Sequence, residues 1–193
     1  MSHTLKIGWA SRDVSTTGKV NIPGQFYARI SEGVLDPVTI TVLVLDDGTD
    51  YTVFVSGDMV GVCPELVIDF RKKIAERAFG VDPLKVAFSI THTHAGAAHY
   101  KEFPMDKDGV CSIGYLEAAK AMGVESADIY RDFLSTSIAD AVEEAWKNRK
   151  AGGIAWGYGY AVVGHSRRVV YMDDTSKRPS SMPNPGGTNQ KKG

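Results

Sequence analysis

Three of the five histidines of the chain lie within eight positions of one another, in the segment AFSITHTHAGAAH (87–99). The stretch before them is typical of a buried strand, so the histidines stand where a strand ends. Side chains of an extended chain alternate between two faces, and His92 and His94 are therefore expected to point the same way. Two imidazoles on one face can share a metal ion, and zinc suits this pattern because it takes histidine nitrogen and carboxylate oxygen. The alternative is a satisfied pair of histidines at a strand end, without a metal.

A second strand, YTVFVSGD (51–58), is expected beside the strand that carries the histidines. Between the two, CPELVIDFRKKIAERAFG (63–80) predicts an amphipathic helix. The helix signals are Leu66, Phe70 and Ile74 at helical spacing, Pro64 at a first helical position and Gly80 at a C-terminal cap. Strand, helix and strand over about 40 residues indicate a right-handed parallel crossover, which brings the carboxyl ends of both strands together.

Asp58 ends the second strand, and ligands of open α/β sheets gather beyond the carboxyl ends of parallel strands. We expect Asp58 near His92 and His94, either as a metal ligand or as the acceptor that fixes the tautomer of an imidazole. Aspartate is also common just before a helix, so the alternative is a turn residue that caps the following helix.

Further candidates lie later in the chain. His99 falls in an expected loop, where a solvated histidine is commoner than a ligand. Arg167 and Arg168 follow a turn near His165, and a guanidinium there can bind a carbonyl or carboxylate. An exposed arginine pair at a turn is the alternative, and the same caution applies to His165.

The remaining pattern predicts an α/β fold. VTITVLVL (38–45) is expected to form a β-hairpin with the strand 51–58, and residues 153–164 and 167–172 are expected to be strands. A second helix is expected from Ser126 to a point between 149 and 152, with Ile129, Phe133, Ala141 and Ala145 along its buried face. The fold class is thus a mixed β-sheet with flanking helices, including at least one parallel β-α-β crossover.

Two segments are predicted to lack regular structure. Residues 100–125 are expected to be a long loop with one short helical turn, of a kind that often carries function. Residues 174–193 contain almost nothing apolar and are either a polar tail or a loop that has been cut short. The expected domain therefore covers residues 1–173.

Composition narrows the class of protein. The chain has 193 residues, a net charge of −1 and 43% hydrophobic side chains, so one domain is expected and nucleic acid is not an expected partner. The two cysteines form no framework, no basic leader precedes an apolar run, and no apolar stretch approaches the roughly 20 residues that span a bilayer. A cytoplasmic protein without an integral membrane segment is the expectation.

The sequence resembles a known family. RDVS near the start, GVLDPVTITVLVLDDG, VFVSGDM and above all FSITHTHAG are similar, in this order and spacing, to the N-terminal part of the neutral/alkaline non-lysosomal ceramidases. The similarity runs from about Ile7 to Tyr171. The resemblance implies a zinc amidase that hydrolyses the N-acyl bond of ceramide to sphingosine and fatty acid.

The resemblance also implies residue roles. His92 matches the zinc ligand of the family, and His94 matches a histidine beside the substrate amide. Arg167 is similar to the arginine that follows the corresponding strand, with Arg168 in its place if the register slips by one. The other ligands of the family, a histidine, a glutamate and a tyrosine, lie far downstream, and the 193 residues contain no match to them.

The hypothesis from sequence is thus a zinc-dependent amide hydrolase that acts on a small N-acyl amide similar to ceramide. The chain is expected to be an incomplete N-terminal part of such an enzyme and to be inactive alone. The alternative is a non-catalytic binding or scaffold domain that keeps the fold without a complete metal site.

Overall fold

The structure is a computed structural model that describes residues 4–24, 29–100 and 123–164. The chain divides into two compact units, residues 1–154 and residues 155–193. Most of the predicted loop 100–125, the strand 167–172 and the tail 174–193 lie outside the described residues. The same holds for His165, Arg167 and Arg168.

The first unit is built on a five-stranded mixed sheet in the order β4-β3-β2-β1-β5. The strands are β1 (Lys6–Asp13), β2 (Thr39–Asp46), β3 (Tyr51–Gly57), β4 (Val86–Ile90) and β5 (Lys150–Ala151). β2 and β3 form the predicted antiparallel hairpin. β1 pairs antiparallel with β2 along its whole length, and the sequence analysis assigned no element there. The predicted α/β class with a mixed sheet is confirmed.

The predicted crossover is confirmed as well. Helix α1 (Pro64–Arg77) and a short 3-10 turn (Pro83–Lys85) connect β3 to β4, which lie parallel with Gly57 opposite Ile90. Pro64 begins the helix as expected, but the C-cap is Ala78 rather than Gly80. Ala78 takes the left-handed conformation with φ 49°, and Gly80 continues the turn with φ 98°.

The second helix, α2 (Ala127–Lys147), begins after the predicted cap Ser126, whose side chain accepts from the Asp128 backbone N–H. Its predicted buried face is only half right. Ala141 and Ala145 are buried, whereas Ile129 and Phe133 are 60% and 44% exposed. The buried stripe instead follows the i, i+4 series that begins one position later, at Tyr130, Leu134 and Ile138.

The core lies between the two helices and one face of the sheet. Its buried sheet residues alternate along the strands, as a half-covered sheet requires: Ile40, Val42 and Val44 on β2, Val53 and Val55 on β3, and Ala10 on β1. Ion pairs join the helices, with Arg77 contacting Asp140 and Glu143 and Lys73 contacting Asp132. The buried Tyr130 hydroxyl donates to the Val14 carbonyl at 2.8 Å and ties α2 to the end of β1.

The predicted strand 153–164 is wrong, because no strand is assigned to any of these residues. β5 pairs with β1 only over Lys150–Ala151, and Gly152 donates to the Leu5 carbonyl just before β1 begins. The antiparallel register places Gly152 next to Leu5, one residue before β1 begins, so residues 153 and 154 have no further β1 residue to pair with. In the second unit, the described residues 155–164 have exposed aromatic side chains at Trp156, Tyr158 and Tyr160.

No helix among the described residues has the length and apolar character that crossing a bilayer requires.

Gly8 in β1 provides a test of this packing. A Cβ at Gly8 would overlap the Ala145 carbonyl oxygen of α2, which is backbone and cannot swing away. We expect Gly8→Ala to lower the free energy of unfolding by about 1–3 kcal/mol, the usual cost of overpacking. Urea denaturation measures the change, with Gly33→Ala as the control because nothing lies within 4 Å of a Cβ there. Equal stability of the two variants would contradict the close contact between β1 and α2.

Candidate functional site

Asp58 joins three strand ends at one edge of the sheet. Its carboxylate accepts from the Thr39 backbone N–H at 2.9 Å, from the Thr39 hydroxyl at 3.0 Å and from the Thr91 hydroxyl at 3.1 Å. Its own N–H donates to the Thr39 carbonyl, and the Thr91 N–H donates to the Gly57 carbonyl. The start of β2 and the ends of β3 and β4 are thus held together by one anion.

Among the described residues, the hydrogen bonds of Asp58 match neither the tautomer-fixing nor the capping interpretation, and its role as a metal ligand stays a prediction. Its hydrogen bonds go to Thr39 and Thr91 and not to an imidazole. The capping alternative is not observed either, because the N-cap of α1 is Cys63. Asp58 therefore supports the segment that carries the histidines and does not itself orient their rings.

His92 is held by the backbone of the neighbouring strand end. Its Nδ1 lies 2.5 Å from the Val60 carbonyl oxygen, which only accepts, so Nδ1 carries a proton and, in the neutral imidazole, Nε2 has the lone pair. A backbone carbonyl on the second ring nitrogen is the usual arrangement of a metal-binding histidine. Sequence reasoning missed this partner because a backbone atom leaves no side-chain signal.

The backbone at His92 is not the extended strand that the sequence analysis assumed. β4 ends at Ile90, and His92 takes the left-handed conformation with φ 59°. Histidine visits this region more readily than most side chains, although the conformation remains uncommon outside glycine. His92 and His94 therefore face each other through a turn and not through strand alternation.

The two imidazoles nevertheless converge. The Nε2 atoms of His92 and His94 are 3.4 Å apart, and the rings meet edge to face with centroids 5.0 Å apart. Two nitrogens bound to one tetrahedral zinc at about 2.0–2.1 Å would lie about 3.3–3.4 Å from each other. The same separation suits a long hydrogen bond in which the His94 Nε2–H donates to the His92 Nε2.

Residues from the first part of the chain also contact the histidine turn. The Arg29 Nη1 donates to the His94 carbonyl at 2.9 Å, and the Ala98 N–H donates to the Asn21 carbonyl at 2.9 Å. Gly24 lies directly against the His94 ring. No sequence motif singled out Arg29 or Gly24, because their partners are about 70 positions away and the contact is made by the fold.

His99 is buried and not a solvated loop residue. It has no exposed surface, and neither ring nitrogen has a hydrogen-bond partner among the described residues. Burial, with a smaller effect of the Arg131 guanidinium, lowers the pKa of His99 to about 4. The imidazole is therefore neutral at pH 7 and packs in the interior beside the Tyr100 ring.

The histidine pair fits one side of a zinc site. Within residues 4–24, 29–100 and 123–164, no group of three histidine, cysteine, aspartate or glutamate side chains is placed to hold a metal ion. A catalytic zinc site generally uses three protein ligands and a water, so the pair needs donors from elsewhere. Arg167 and Arg168, the predicted partners of the substrate, lie outside the described residues.

Comparison with solved structures identifies a shared fold. The chain is similar to a crystal structure of neutral ceramidase from Pseudomonas aeruginosa, with a TM-score of 0.61 and 16% identity over 79% of this chain. It is also similar to a ceramidase complexed with C2, with a TM-score of 0.60 and 15% identity over 78% of this chain. The chain spans 23% and 22% of those ceramidase chains. No family model and no curated protein sequence matches.

Asp58→Asn tests the carboxylate that joins the strand ends. An amide keeps one acceptor oxygen and turns its NH2 group toward the donors of either Thr39 or Thr91, so we expect a loss of about 1–3 kcal/mol in the free energy of unfolding. Urea denaturation at pH 7 measures it. The control is Asp36→Asn at an exposed carboxylate, and a loss no larger than in this control would contradict the joining role.

The buried His99 predicts a pH dependence of stability. The unfolded chain binds a proton at His99 below about pH 6.5, whereas the folded chain binds one only below about pH 4. The contribution of the neutral His99 to the free energy of unfolding is therefore fully present above pH 6.5. As the pH falls toward 4, the free energy of unfolding decreases by about 3 kcal/mol in total. His99→Leu should flatten this part of the stability profile, measured by urea denaturation between pH 4 and 7 with EDTA. His94→Gln is the exposed control, and an unchanged slope in His99→Leu would refute the assignment.

Proposed function

We propose that the chain is part of a zinc-dependent amide hydrolase similar to neutral ceramidase, with residues 1–173 as the N-terminal part of its catalytic domain. The observation that carries the proposal is the His92–His94 pair. Its Nε2 atoms lie 3.4 Å apart, and the Val60 carbonyl leaves the lone pair of His92 Nε2 available. The fold shared with two ceramidase structures supports the same conclusion.

His92 is the proposed zinc ligand. The Val60 carbonyl fixes its tautomer, and the hydrogen bonds of Asp58 hold Thr91, the residue before it. When bound, zinc would polarise the amide carbonyl and lower the pKa of its bound water to about 7. The remaining donors would come from residues outside the described ranges or outside this chain.

His94 is the proposed substrate-facing histidine. Its ring is exposed, lies beside the His92 Nε2 and presents a ring N–H to a group bound there. A donor fixed in advance stabilises the negative charge that develops on the carbonyl oxygen when water adds to an amide. Arg167 is the proposed second donor, with Arg168 as the alternative if the register differs by one.

The proposed substrate class is a small N-acyl amide similar to ceramide. Water adds to the acyl carbon, the C–N bond breaks, and a fatty acid and an amine are released. The ceramidase complexed with C2 supports this class by its shared fold, at 15% identity. A non-catalytic scaffold that keeps the fold is the outcome against which the proposal is tested.

The test is calorimetric zinc titration of the chain and of its full-length gene product. Because His92 is the one proposed zinc ligand among the described residues, we expect the chain to bind zinc weakly and the full-length product to bind it tightly. His92→Ala should weaken binding by more than the 10- to 100-fold that follows loss of an outer partner. His94→Ala should reduce turnover of a fluorescent N-acyl sphingosine, or of another N-acyl amine in a panel, more than it reduces zinc affinity.

The matched control is His99→Leu, which removes a histidine that the site does not use. If His92→Ala leaves the zinc affinity of the full-length product unchanged, the assignment of His92 as a ligand is overturned. Zinc binding without hydrolysis of any N-acyl amine would favour the scaffold.

A further inference from the structure

Two short stretches near the start of the chain form a clasp around the histidine turn. Residues 20–24 and 29–31 pair antiparallel, with Ile22 N–H donating to the Arg29 carbonyl at 2.8 Å and Ser31 N–H to the Val20 carbonyl at 2.9 Å. The Ser31 hydroxyl also accepts from the Val20 N–H and donates to the Gly18 carbonyl. These contacts make the clasp a defined element.

The clasp contacts His94 at both its backbone and its ring. The Arg29 Nη1 donates to the His94 carbonyl oxygen at 2.9 Å. A Cβ on Gly24 would overlap the imidazole, with the ring Cγ only 2.7 Å away, so the backbone of the clasp at Gly24 lies close against the His94 ring. Gly24 also has φ 101°, a conformation that suits glycine alone. Four residues later, the Ala98 N–H donates to the Asn21 carbonyl and secures the end of the turn.

His94 needs such support because no regular element holds it. β4 ends at Ile90, His92 is left-handed, and the His94 side chain is exposed. An exposed histidine in an irregular turn samples several rotamers, and a group that must meet a substrate atom has to be held within about 0.5 Å. Asp58 and Val60 secure the turn from the β3 side, as far as His92. The clasp secures the part of the turn that follows, from His94 to Ala98.

We propose that Arg29 is a positioning residue for His94: its guanidinium fixes the His94 carbonyl and thereby keeps the His94 ring against the His92 ring. The consequence for catalysis rests on the proposed function, whereas the effect on the ring geometry does not. Arg29 acts through His94 and is not assigned a contact with substrate.

Substitutions at Arg29 separate the effect of its hydrogen bond from the effect of the size of its side chain. Arg29→Met keeps a long apolar stem and removes every donor. Arg29→Lys keeps the charge and one flexible donor group, so it should restore part of the effect, without the planar geometry of a guanidinium. Arg77→Met is the matched control, since Arg77 also bridges two elements, through Asp140 and Glu143 on α2.

The first readout is nuclear magnetic resonance of the metal-free chain. The nuclear Overhauser effect between the His92 and His94 rings, whose centroids are 5.0 Å apart, reports the pair directly. We expect Arg29→Met to reduce it at least about twofold, Arg29→Lys to restore part of it and Arg77→Met to leave it unchanged. Backbone amide signals of β2 and β3 show whether the fold persists.

An unchanged inter-ring signal in Arg29→Met would overturn the proposal. So would its loss together with collapse of the β2 and β3 amide signals to unfolded chemical shifts, because Arg29 would then support the fold and not His94. In the full-length gene product, we expect Arg29→Met to lower kcat with KM nearly unchanged. If that product hydrolyses no N-acyl amide while the ring signal still depends on Arg29, the proposed function fails and the positioning role stands.

Discussion

One carboxylate, that of Asp58, determines where the candidate site can form. A parallel pair such as β3 and β4 leaves unpaired backbone groups at its carboxyl end, and the start of β2 meets the same edge. Asp58 accepts from Thr39 twice and from Thr91 once, so a single anion satisfies donors from two other strands. Charge-assisted hydrogen bonds of this kind are stronger than neutral ones. The turn to His92 begins from this fixed point, one residue after Thr91.

The histidine pair depends on supports that come from different parts of the chain. Val60, three residues after β3, supplies the carbonyl that sets the His92 ring. Arg29 and Gly24, far earlier in sequence, border His94. The two supports therefore lie far apart along the chain and meet only in the folded protein. A pair of exposed rings in an irregular segment is consequently sensitive to the fold as a whole, and its geometry is a property of the unit formed by residues 1–154.

Local patterns explain which parts of this structure were predictable. The β2–β3 hairpin and the crossover through α1 arise from contiguous apolar periodicities, and both follow from the sequence. β1 was missed because it contains Gly8, a residue that weakens a strand pattern and is explained only by the Ala145 backbone that lies against it. The convergence of His92 and His94 was expected, but from an extended chain. The left-handed residue that produces it has no sequence signature, since its cause is tertiary.

The conformation of His92 gives an independent reason to regard this turn as functional. A residue other than glycine at φ 59° costs free energy, and such conformations persist when the surroundings impose them. Here the surroundings are the Asp58 hydrogen bonds before the residue and the Val60 carbonyl on its ring. A turn that served only to connect β4 to the next segment would gain nothing from holding two imidazoles 3.4 Å apart. Fold likeness at 16% identity shows the architecture alone, and the proposed chemistry follows from these residues.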